Sequence, residues 1–222
     1  VQRTRERPLA AGTVSVREAL VLFAVLCLCA FAVALPIMRD VWKLTLVALF
    51  LAASYPFTKR FFALPQAYLG VAFGFGIPMA FAAVQGGDSF SLSAMQSAVP
   101  LLAWVLLAGN LFWVLAYDIE YAMVDRDDDL KIGIKTSAIT LGRFDVAAVM
   151  AFYVIYLAAW GGIALRLGLS RWSLLGIAAA AAQALWHYTL IRQRSRESCF
   201  KAFRLNHWVG FAVFAGTVLT SR

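Results

Sequence analysis

Long apolar runs alternate with short polar links along the whole chain. The runs cover about 17–38, 41–57, 64–84, 95–117, 145–165, 172–191 and 205–221. Each is close to the ~20 apolar residues that a helix needs to cross a hydrocarbon core of about 30 Å. The pattern predicts an all-α fold, a polytopic membrane helix bundle with about seven transmembrane helices in one membrane domain over 1–222. Ser15 and Glu18 fit a capping box at the start of the first helix. Pro36 and Arg39-Asp40 end the first run, and Ser54-Tyr55-Pro56-Phe57-Thr58-Lys59-Arg60 ends the second. In the third, Gly70 and Gly74 form a small-xxx-small pair suited to close helix packing in lipid, and Pro78 predicts a kink.

Composition agrees with this pattern. The chain is 62% hydrophobic and 14% charged, against about 25% charged in an ordinary soluble domain. The net charge of +8 would suggest nucleic acid in a soluble protein. Here the cations fall in links between apolar runs and no aromatic-plus-basic pattern stands outside them, so nucleic acid is set aside. With residues 1–17 inside, alternation of the spans also puts 58–63, 118–144 and 192–204 inside. Fifteen of the twenty Lys and Arg lie in these four segments, which supports the orientation. Cys27 and Cys29 are spaced by two within an apolar run, and Cys199 stands apart. No zinc or disulfide pattern results, and buried thiols are the expectation.

The candidate chemistry lies at 118–129. Six of the twelve acidic residues fall there, directly after the fourth apolar run: Asp118, Glu120, Asp125, Asp127, Asp128 and Asp129. Continued as a helix at ~100° per residue, the stretch puts Asp118, Tyr121, Asp125 and Asp129 on one narrow stripe. Glu120 and Asp127 point to the opposite side. Like charges at Asp125 and Asp129, spaced i, i+4, repel unless a cation lies between them. Carboxylate oxygens suit Mg²⁺ or Ca²⁺. An EF-hand reading of Asp125-x-Asp127-x-Asp129 fails, because position six is Leu130 and position twelve is Thr136. Two readings stay open on the residues alone: a solvated acidic loop paired with its own cations, or Mg²⁺ held jointly with a phosphorylated substrate, with Arg126, Lys131 and Lys135 adding contacts to phosphate. A rival class is a cation-coupled transporter with an acidic cytoplasmic gate, although transporters place such groups nearer the midplane of broken helices.

The segment Tyr117-Asp118-x-x-Tyr121-Ala122-Met123-Val124-Asp125-Arg126-x-x-Asp129, followed by Lys131-Ile132-Gly133-Ile134-Lys135, resembles the second aspartate-rich motif of the UbiA-type intramembrane prenyltransferases. Arg7-Pro8-Leu9, Tyr55-Pro56-Phe57-Thr58-Lys59-Arg60, Leu64-Pro65-Gln66, 74–81 and Cys199-Phe200-Lys201-Ala202-Phe203 extend the resemblance along the chain. It is strongest to the branch of the family that prenylates 4-hydroxybenzoate for ubiquinone.

The resemblance implies nine helices around a cavity in a bacterial cell inner membrane, with the acidic and basic links on the cytoplasmic side. It implies transfer of a prenyl chain from polyprenyl diphosphate to 4-hydroxybenzoate, with Mg²⁺ as cofactor and the lipid bilayer as surroundings. On this resemblance Asp125 and Asp129 are the motif's metal-linked pair, with Asp118 and Tyr121 beside them. Lys59 and Arg60 bind diphosphate or the aromatic carboxylate. The family's first motif, Asn-Asp-x-x-Asp-x-x-x-Asp, is absent, and the link at 85–94 looks long for the family. The chain starts Val-Gln-Arg, where that motif would just have ended. The expectation is a piece lacking the first two helices and half of the metal site, inactive by itself.

An allylic cation needs a dry, aromatic-lined cavity, for which Tyr117, Tyr121, Phe112, Trp113, Phe73 and Phe75 are candidates. For each of them, packing is the commoner role. Asn110 and His187 are expected to bond between helices, and Asn206 and His207 to be interfacial.

Overall fold

The structure, a computed structural model, describes residues 6–58, 60–86 and 91–220. Among them the regular structure is helical throughout. Helices α1 (Val16–Ala34) and α2 (Met38–Thr58) are joined by a single 3-10 turn, Leu35–Ile37. There follow α3 (Pro65–Gly74), α4 (Gly76–Gln85), α5 (Leu92–Ala98), α6 (Leu101–Ile132), α7 (Ser137–Leu141), α8 (Asp145–Arg166), α9 (Arg171–Ile191), α10 (Arg196–Leu205) and α11 (His207–Thr220).

Five helical stretches are long and apolar enough to cross a membrane: Val16–Thr58, Pro65–Gln85, Leu101–Ile132, Ser137–Arg166 and Arg171–Ile191. The first two sequence runs thus fall in one stretch of 43 residues. At 1.5 Å per residue it is about 65 Å long, roughly twice a hydrocarbon core. The seventh run becomes α11, a helix of 14 residues.

The capping box forms as its residues dictate. The Glu18 carboxylate accepts from the Ser15 backbone N–H at 2.8 Å, and the Ser15 hydroxyl accepts from the Glu18 N–H. No residue of α1 is buried. Leu22, Phe23 and Leu28 face outward at 59%, 65% and 68% exposure, as lipid-facing side chains do. Cys27 and Cys29 share this exposure, contrary to the expectation of buried thiols; Cys199 is buried. The periodicity of an all-apolar helix has no polar side to mark which thiol faces in.

α3 and α4 break between Gly74 and Gly76. Pro78 lies four residues after Gly74 and has no N–H to donate to its carbonyl, so the kink falls one turn before the proline. The two glycines of α3 bring it against α6: a methyl group at Gly70 would stand 2.5 Å from the Leu111 side chain, and one at Gly74 3.1 Å from the Asn110 amide.

α6 positions the candidate site. Its 32 residues span about 48 Å, so it outruns the bilayer core by about three turns. Pro100 caps its start and Gly133, at φ 71°, its end. There the N–H of Gly133 and of Ile134 both reach the Asp129 carbonyl, a closure that a left-handed glycine permits. The main core gathers around one side of α6, from Ala116, Ile119, Met123, Val149, Tyr153, Ala180, Ile191 and Val209. A smaller core joins α2, α4 and the start of α6.

Candidate functional site

The stretch 118–129 continues α6 without interruption, so the stripe is real. Asp118, Asp125 and Asp129 are buried, and Tyr121 beside them is half-buried. Tyr55, near the end of α2, lies within electrostatic reach of Asp118, Tyr117 and Tyr121. On the flank Tyr121 packs against Phe203 of α10 with ring centroids 4.6 Å apart, and Tyr117 packs against the same ring at 6.2 Å. Trp113 extends this aromatic wall through Tyr117 at 5.5 Å and Tyr156 at 5.6 Å. Of the other aromatic candidates, Phe112 packs on Phe152 and Phe75 on Trp104. Phe73 faces outward. Phe203 is the wall residue that sequence reasoning missed. Its signal was its place in the Cys-Phe-Lys-Ala-Phe segment, but only folding brings α10 to α6.

The cations divide into two sets. Ser137 donates to the Gln66 amide oxygen from its N–H at 2.9 Å and its hydroxyl at 2.5 Å, and Thr140 donates to the Ala63 carbonyl at 2.6 Å. These bonds fasten α7 to the first turn of α3 and to Ala63 just before it. Lys135 then donates to the Phe61 carbonyl at 3.4 Å, beside exposed Arg60. Lys131 is exposed in the last turn of α6. Lys59 lies outside the described residues. Arg126 turns away from this set: its guanidinium stands 3.5 Å from Asp145. Asp145 is fully buried and accepts from Arg194 at 2.6, 2.9 and 3.1 Å. Arg194 also donates to the Arg143 carbonyl, and Arg196 pairs with Asp128 at 3.4 Å. The links 58–63, 118–144 and 192–204 therefore meet at one end of the bundle.

Among the described residues no group of three or more His, Cys, Asp and Glu converges as a closed metal site. What α6 offers is a row of buried carboxylates for a cation that takes its remaining ligands elsewhere.

The opposite side of α6 holds a second polar assembly. Glu120 is fully buried. Its Oε1 accepts from the Tyr153 hydroxyl of α8 at 3.0 Å and lies 3.0 Å from His187 Nδ1 of α9. The Asn206 amide donates to the Tyr153 hydroxyl, and Trp113 Nε1 donates to Asn206 Oδ1 at 2.5 Å. Gln183 Nε2 lies 3.4 Å from His187 Nε2. His187 thus bonds between helices as expected. Asn206, expected at an interface, is buried instead, because the corner between α10 and α11 tucks it against α8. His207 is exposed.

Comparison with known proteins places these features among relatives. A family model described as the UbiA prenyltransferase family matches residues 1–215. A 4-hydroxybenzoate octaprenyltransferase of Azoarcus sp. (strain BH72) is 60% identical over 219 residues, 99% of this chain and 72% of the relative. One from Methylibium petroleiphilum is 64% identical over 220 residues, again 99% and 72%. Among solved structures, the apo structure of a UbiA homolog from Aeropyrum pernix K1 superposes with a TM-score of 0.84 at 27% identity, covering 100% of this chain and 79% of that one.

Proposed function

Because the chain belongs to the UbiA prenyltransferase family, we propose that it transfers a polyprenyl group from a polyprenyl diphosphate to the ring of 4-hydroxybenzoate, a step of ubiquinone biosynthesis, at the aspartate stripe of α6. The observation that carries the reading is the stripe itself: Asp118, Asp125 and Asp129 buried on one face of a helix that outruns the bilayer, in a chain 60% identical to a 4-hydroxybenzoate octaprenyltransferase.

The donor set fits Mg²⁺ held jointly. A pair of carboxylates leaves coordination positions for phosphate oxygens and water, the usual arrangement for Mg²⁺ with a phosphorylated substrate. When bound, Mg²⁺ would supply positive charge that stabilises the diphosphate as a leaving group. Asp125 and Asp129 would hold it, with Asp118 two turns back on the same face. Arg60, Lys131 and Lys135 meet at this end and supply charge to the diphosphate oxygens, and we assign Lys59 to the same task. Tyr117, Tyr121 and Phe203 pack together beside the stripe, and we assign this aromatic wall to keeping water from the allylic cation and stabilising it. The hydroxybenzoate ring attacks ortho to its hydroxyl and then loses a proton. Arg126 is better placed to hold Asp145 than to hold phosphate. We place the protein in the bacterial inner membrane with this end toward the cytoplasm.

The deciding experiment is Asp125→Ala in the full-length protein in membranes. Removal of a metal-linked carboxylate should lower Mg²⁺-dependent prenyl transfer by a factor of about 100 or more. Undiminished turnover would remove the site assignment.

A further inference from the structure

The fully buried Glu120 takes no part in the chemistry above, yet two arms of donors end on it. One arm runs from Trp113 through Asn206 and Tyr153; the other runs from Gln183 through His187. With the imidazole proton on Nδ1, His187 donates to Glu120 and accepts from Gln183, and the Tyr153 hydroxyl lies 3.2 Å from the same Nδ1, so both arms converge on one carboxylate. The partners belong to α8, α9 and the corner between α10 and α11.

Glu120 lies about 160° around α6 from Asp118 and about 180° from Asp129. It is thus the anchor directly behind the stripe. We infer that Glu120 is a positioning residue: its bonds to Tyr153 and His187 fix the rotation of α6, and so fix where Asp118, Asp125 and Asp129 present their oxygens. The lever is large. A carboxylate oxygen about 6 Å from the helix axis moves about 2 Å when the helix turns by 20°. Mg²⁺ tolerates far less, since its ligands must lie near 2.0–2.1 Å in octahedral geometry.

Both bonds fall on Oε1, while Oε2 is buried with no hydrogen-bond partner among the described residues. Glutamine can therefore keep Oε1 as acceptor and place its amide where no bond is lost. Leucine keeps the volume and loses both bonds.

The inference rests on the proposed metal site. It is tested with the full-length protein in detergent by Mn²⁺ binding, read from the paramagnetic resonance of the free ion. Glu120→Leu should weaken Mn²⁺ binding by about 10-fold or more, the range seen when groups that orient metal ligands are removed. Glu120→Gln should stay within about threefold of wild type on the same ground. Tyr153→Phe, which keeps the ring and removes the hydroxyl, should weaken binding several-fold and serves if Glu120→Leu does not fold. Unchanged Mn²⁺ affinity in folded Glu120→Leu or, failing that variant, in Tyr153→Phe would overturn the inference. So would a Gln variant as weak as Leu. Loss of binding in Asp125→Ala alongside normal binding in the Glu120 series would sink this inference and leave the proposed function standing. Absence of Mn²⁺ binding in wild type would count against both.

Discussion

At the scale of single residues, the aspartates at this end of the molecule sit in more than one setting. Asp118, Asp125 and Asp129 are buried along one face of α6, and Asp145 and Asp128 pair with arginines of the link before α10 and of its first turn. Arg194 shows the cost accepted for one such pair. It is the one non-glycine residue with positive φ among those described, at 54°, a conformation that costs about 1 kcal/mol or more. In return it reaches Asp145 with both Nε and Nη2, and these bonds raise its pKa above the ordinary arginine value. Removing one partner of a buried pair costs about 3–5 kcal/mol. Arg194 is 38% exposed and Arg126 remains nearby, so Arg194→Ala should destabilise by about 2 kcal/mol. Thermal unfolding in detergent reads this directly, and an unchanged midpoint would show that Arg126 suffices. Burial also pushes the Cys199 thiol up to about 11, which marks it as a packing residue rather than a nucleophile.

Between elements, glycines decide how closely the helices approach. α9 and α11 meet at Gly176 and Gly216, where an added methyl group would stand 2.5 Å from the Ala212 carbonyl and 2.6 Å from the Trp172 carbonyl respectively. Backbone cannot step aside as a side-chain end can. Gly216→Val should therefore separate the two helices and destabilise by about 3 kcal/mol or more. A melting midpoint equal to wild type would refute the close packing. Gly210 makes room in the same way for the Trp113 ring, at 2.5 Å, and Trp113 in turn holds Asn206. The small-xxx-small pair of α3 was legible from spacing alone. These partners were not, since Gly210 and Gly216 meet helices far away in sequence.

For the whole molecule, the clustering of basic links at one end gives the orientation its physical basis. Lys135 reaches Phe61, Arg194 reaches Arg143 and Arg196 reaches Asp128, so three links share one end of the bundle, as the proposed orientation requires. Positive charge is retained on the cytoplasmic side. A cysteine introduced at Lys131 should react with an impermeant thiol reagent only in inside-out vesicles, and one at Leu167 only in right-side-out cells. Labelling of Lys131→Cys from outside would reverse the assignment. A transporter with an acidic gate finds no support in this arrangement: the acids gather past the apolar core, and the family is one of prenyltransferases.

The chain's own order of residues was enough to determine an all-helical membrane protein, the stripe of Asp118, Tyr121, Asp125 and Asp129, and the cap of α1. These are short-range properties: the length of an apolar run, the 3.6-residue period and the reach of one side chain to the next turn. Tertiary structure alone decided the rest. It set Phe203 beside Tyr121, drew Arg126 to Asp145 and buried Asn206. Above all it gave Glu120 its partners. Periodicity correctly turned Glu120 away from the stripe, but could not say that donors from α8, α9 and the corner before α11 wait there. A buried carboxylate is tolerable only with partners, and those partners lie 33 and 67 residues further along the chain, a distance that no local pattern spans.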